Sequence, residues 1–162
     1  MKYILLIIGL VIASFILGYS IANLNTSQTE QPVQYNKASE NKANTPSDWI
    51  KEDQIQVDNN KVIINIKDAK WARFTNTDSM LPFLDENSNA IEIIPTNENE
   101  IHIGDIVSYR AFTNDIVIHR VIEKGTDEQG VYFILKGDNN PYPDPEKVRF
   151  SQIQRILVAV IY

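Results

Sequence analysis

The sequence predicts a mainly β domain preceded by one transmembrane helix. Three observations lead there. The first segment, "YILLIIGLVIASFILGYSIA" at residues 3–22, carries no charge over a length that matches a bilayer. The next stretch is polar and poor in large apolar side chains. From residue 48 onward the apolar residues fall into short runs rich in Val, Ile, Tyr and Phe, and no window of a dozen residues keeps a helical period.

The elements follow in order. At 1.5 Å per residue, residues 3–22 form a helix about 30 Å long, and a backbone in lipid must satisfy its own hydrogen bonds. A permanent anchor over residues 1–22 competes with a cleaved signal peptide, for which Ser20-Ile21-Ala22 supplies a small-x-small site. The uninterrupted run exceeds a usual signal core and favours the anchor. Lys2 and the initiating amine precede the segment, and no positive charge follows until Lys37. This places the N-terminus in the cytoplasm and the rest outside, in a single-pass protein of the cell membrane. Residues 23–47 read as a flexible spacer, because so polar a segment cannot offset its ordering entropy. Residues 48–162 form the β-rich domain. "QIQV" and "KVIINI" flank "DNN" as a hairpin. "WARF", "AIEII" at 90–94, "DIVSYRAF" at 105–112, "DIVIHRVIEK" at 115–124, "GVYFILKG" at 130–137 and "IQRILVAVIY" at the end are further strands.

Composition excludes several chemistries. A net charge of −6 and the lack of a basic stripe argue against nucleic-acid binding. With no cysteine there is neither a thiolate nucleophile nor a cysteine zinc site. His102 and His119 are the only histidines, and their spacing is not that of a zinc hydrolase. No metal and no cofactor is expected.

The candidate chemistry begins at Ser79, in "FTNTDSMLPFLDEN". A serine hydroxyl needs a base to take its proton, and a loop serine taken alone is more often a turn residue. Strand alternation puts Val117, His119 and Val121 on one face of "DIVIHRVI". His119 is then either a core histidine or a general base, since histidine changes charge near neutral pH. His102, in a polar connection, reads as a surface residue. A third group should hold the base in one tautomer. The loop "KGDNNPYPDPEK" offers Asp138 and Asp144, stiffened by Pro141, Pro143 and Pro145. For each aspartate alone, a turn-forming role competes.

Taken together, "SMLP" (79–82), "GDIV" (104–107), "IHRVI" (118–122) and "KGDNN" (136–140) with a later Asp resemble, in order and spacing, the type I signal peptidase family in its archaeal and endoplasmic-reticulum branch. The resemblance covers about residues 75–144. It implies a mostly antiparallel, barrel-like β fold shared with self-cleaving repressors, and hydrolysis of the peptide bond after a secretory signal sequence. By matching motifs it makes Ser79 the nucleophile and puts His119 where the bacterial branch carries a lysine base. Asp138 and Asp144 match the last block, and at least one serves the site. Met80 and Pro82 would help bind substrate. The implied partners are signal-peptide-bearing preproteins, the lipid bilayer and the secretion machinery. One departure stands in the first block. Asp78 occupies a place where relatives commonly carry Gly, Ser or Asn, and an ionised side chain there would oppose an oxyanion. Asp78 is therefore expected to point away or to have another role. Two alternatives remain: a serine peptidase with Lys136 or Lys124 as base, and an inactive, membrane-tethered β binding module.

Overall fold

The computed structural model describes residues 31–33 and 45–162. The expected membrane helix and most of the spacer lie outside the described residues. Among the described residues, no helix is long and apolar enough to cross a membrane.

The chain divides into two units. In the first, β1 (Ile55–Asp58) pairs antiparallel with β2 (Lys61–Ile64), with Ile55 opposite Ile64 and Asp58 opposite Lys61. Asn59 and Asn60 make the turn, as the "DNN" signal predicts. The period-2 alternation puts Ile55, Val57, Val62 and Ile64 on one face of this hairpin.

The second unit holds β3 (Lys70–Arg73), β4 (Asn89–Ile93), β5 (Ile106–Arg110), β6 (Ile116–Asp127), β7 (Gly130–Lys136), β8 (Val148–Arg149) and β9 (Ile153–Ile161). They form one sheet in the order β3-β4-β9-β5-β6-β7-β8, and every neighbouring pair is antiparallel. The domain is thus mainly β with antiparallel pairing, and the strands follow the predicted runs closely. Two features lie beyond the sequence reading. β6 continues to Asp127, and the two-residue β8 closes one edge. β6 reaches that length by absorbing a bulge between Val121 and Glu123, which breaks the alternation read from sequence.

The sheet carries apolar packing on both faces. Val107, Tyr109, Val121, Phe133, Leu135, Val148 and Ile156 belong to one buried cluster. Ile106, Ala90 and Leu157, from the alternate positions, join Met80 and Leu84 in a second. β5 contributes to both, so four of its five residues are buried, the polar Ser108 among them. Each fully buried Ile or Phe stabilises by roughly 1.5–3 kcal/mol.

Asp105 is a buried carboxylate at the entrance to β5. It accepts hydrogen bonds from Ser47 N (2.7 Å), Trp49 Nε1 (3.2 Å) and His102 N (2.9 Å). These three donors compensate its desolvation and fasten the segment entering the domain. His102 is exposed, as expected, with Nδ1 3.8 Å from Asp105.

Candidate active site

Ser79 lies in the connection between β3 and β4. Its position is set from two sides. Phe83 N and Leu84 N both donate to Met80 O at 2.9 Å, forming a tight turn. Met80 and Leu84 then sink into the second apolar cluster. From the other side comes the loop after β7. Asn139 N donates to Ser79 O at 2.9 Å, and Asn139 Nδ2 donates to Asp78 O at 3.0 Å. Gly137 makes this approach possible: a Cβ there would stand 2.6 Å from Ser79 O.

Asp78 has φ of +56°. This left-handed region suits Gly best and Asn or Asp next, so an Asp is tolerated there. Asp78 lines the same cavity as Ser79. Its backbone turns the chain into the serine.

His119 is buried on β6, paired with Val107 of β5. Its Nδ1 lies 2.7 Å from Asp144 Oδ2. The same oxygen accepts a hydrogen bond from Tyr109 OH at 2.8 Å. A carboxylate only accepts, so Nδ1 carries a proton, and in the neutral imidazole Nε2 is then the nitrogen with the lone pair. Burial foremost, and then the Asp144 carboxylate, push the Tyr109 phenol well above its ordinary value, so it stays a donor. Asp144 is held in turn by its backbone N–H, which donates to Leu135 O at 2.8 Å.

Ser79 and His119 line one cavity of about 660 Å³, with Met80, Asn140, Ser108 and Glu92 among the other lining groups. Ser79 Oγ lies 3.2 Å from Thr77 Oγ1, and among the described residues that is its hydrogen-bond partner. Such contacts commonly rearrange when substrate binds. The two aspartates part company. Asp144 meets His119, whereas Asp138 forms a two-point ion pair with Arg120 at 2.8 and 2.6 Å. Arg120 also donates to Gly104 O at 2.8 Å and lies over the Phe83 ring at 5.4 Å. Asp138 thus ties the last loop to β6 and the serine connection. Met80 both lines the cavity and packs in the core, while Pro82 is exposed and does not line it.

The two lysines are placed elsewhere. Lys124 Nζ donates to Glu98 O and Ile101 O at 2.8 and 2.9 Å. Lys136 sits opposite Arg120 on β7, and neither lysine lines the cavity. Among the described residues, no cluster of His, Asp and Glu is arranged to hold a metal ion. Tyr109, Asn139 and Arg120 escaped the sequence reading. For Tyr109 a signal existed: pairing of "DIVSYR" with "DIVIHR" puts Tyr109 on the face of β5 that Val107 shares with His119.

No family model matches the chain, and no solved structure matches it. A stretch of 60 residues, 33% of the chain, is 48% identical to an uncharacterized protein of Methanocaldococcus jannaschii. The match spans 30% of that protein's length.

Proposed function

We propose that this chain is a membrane-anchored serine endopeptidase that removes signal peptides from translocated preproteins, with the fold of signal peptidases and self-cleaving repressors. The observation that carries the proposal is the hydrogen bond between Asp144 and His119 Nδ1, in a cavity that Ser79 also lines. In the reaction His119 Nε2 takes the Ser79 proton, and Oγ attacks the carbonyl carbon before the scissile nitrogen. The imidazolium is stabilised by Asp144 and returns the proton to the leaving amine. Water then hydrolyses the acyl-enzyme by the reverse path. The Ser79 N–H donates to no group among the described residues and is free to face the oxyanion.

A place for an extended peptide is also present. β7 pairs with β6 only from Arg120 onward, so residues 116–119 have β5 on one side and, among the described residues, no strand on the other. These four residues all line the cavity. A substrate strand added there would satisfy its backbone groups and place alternate side chains in the cavity. The predicted anchor, residues 1–22, would hold enzyme and signal peptide in one bilayer and raise their mutual concentration. The domain would then face the side where preproteins emerge. A lysine base is disfavoured by the placement of Lys124 and Lys136 away from the cavity.

The test uses the full chain in detergent with a preprotein. Ser79→Ala and His119→Ala are expected to abolish cleavage, and Asp144→Asn to lower kcat by up to about 10⁴-fold, because the amide would favour the wrong histidine tautomer. Cleavage by Ser79→Ala at the wild-type rate would sink the proposal. Labelling of Ser79 by a serine-directed probe would set aside the inactive binding module.

A further inference from the structure

Glu92 is 3% exposed, yet it lines the cavity. A carboxylate has room for about four hydrogen bonds. Glu92 receives one, from Arg155 Nη1, and at 3.4 Å it is long. Its other oxygen has no partner in the protein, and it is not sealed from the cavity, since Asp58 supplies the one fully enclosed orphan among the described side chains. Arg155 is equally under-used. Its side chain is 40% exposed, and its remaining N–H groups meet no acceptor among the described residues. A half-satisfied pair of this kind costs stability unless a ligand completes it.

Strand register places these groups. Arg155 on β9, Ser108 on β5 and Ile118 on β6 form one cross-strand row. Glu92 on β4 stands opposite Leu157, which shares the face of Arg155. Ser108 is buried and lines the cavity. Ile106, two residues before Ser108 and so about 7 Å along the strand, belongs to the apolar cluster of Met80 and Leu84. Arg155 and Ser108 are thus neighbours across the strands, and Glu92, level with Leu157, meets Arg155 from the adjoining row.

We infer that Glu92, Arg155 and Ser108 form a specificity subsite for an uncharged polar side chain of the substrate, one that both donates and accepts, as the amide of Gln or Asn does. This deepens the peptidase proposal and rests on it. The amide NH2 donates to the free Glu92 oxygen, and the amide carbonyl accepts from Arg155. A cation would pair with Glu92 but meet the Arg155 charge, and an anion the reverse. An apolar side chain would leave both groups desolvated and unpaired.

The experiment is a positional scan with the full chain in detergent. One preprotein-derived peptide keeps its scissile bond, and each flanking position in turn is set to Gln, Asn, Leu, Lys or Glu. The wild type is expected to prefer Gln or Asn over Leu at one position by about 10–100-fold in kcat/KM, the range for hydrogen bonds to charged groups. Glu92→Gln and Arg155→Met should each flatten that position alone. Arg155→Met changes a half-exposed side chain and guards against misfolding of the Glu92 variant. If the wild type and both variants cleave with one profile, the subsite is overturned while the peptidase stands. If the wild type cleaves no peptide in the set, the peptidase proposal falls and the subsite with it.

Discussion

Tyr109 and Asp78 show how much single residues contribute at this site. Asp144 Oδ2 takes two donors, His119 Nδ1 and Tyr109 OH, so the oxygen that orients the imidazole is itself held in place. Tyr109 has a consequence for stability. Its proton is held more tightly in the folded chain than the ordinary phenol value of 10.0. Below that value both states keep the proton, and the interaction is fully present. Above it the unfolded chain loses the proton first, so stability falls as pH rises past about 10. Denaturant midpoints across that range should decline in the wild type and decline less in Tyr109→Phe. The same variant should lower kcat while preserving the fold, because Asp144 loses a donor but keeps His119. Asp78 acts through its backbone: the chain turns left-handed there just before the serine, and its carbonyl accepts from Asn139 Nδ2.

At the level of elements, the site is a meeting of β6 with two connections. The loop after β7 grips the serine connection through Asn139 and through the bare face of Gly137. Gly137→Ala would drive a methyl to within 2.6 Å of Ser79 O, against backbone that cannot give way cheaply. A loss of about 1–3 kcal/mol in stability is expected, together with a fall in kcat larger than the change in KM. Unchanged kcat in a folded Gly137→Ala protein would show that the serine backbone does not need this grip. Sequence patterns made β6 and its histidine legible, because period-2 alternation survives from residue 116 to the bulge. They left Asp138 and Asp144 equivalent. The choice between them depends on which side of the loop meets His119 and which meets Arg120, and no local pattern encodes that.

For the whole molecule, Asp105 links the segment arriving from the spacer to the centre of the sheet. Removing its charge in Asp105→Asn should cost about 2–3 kcal/mol, read as a lower denaturant midpoint, with hydrogen exchange rising first around Ser47 and Trp49. If those amides stay as protected as in the wild type, the clamp is not what fastens this segment. The strand runs, their turns and the mainly β class were determined by the sequence alone, because each depends on residues close in the chain, and Ser79 and His119 became candidates there only through blocks spread over residues 75–144. Strand order, the burial of β5 on both faces, the pairing of Asp144 with His119 and of Asp138 with Arg120, and the half-satisfied Glu92 were decided by tertiary structure. These depend on contacts between residues far apart in the chain, where sheet register and loop packing, not local periodicity, set which side chains meet.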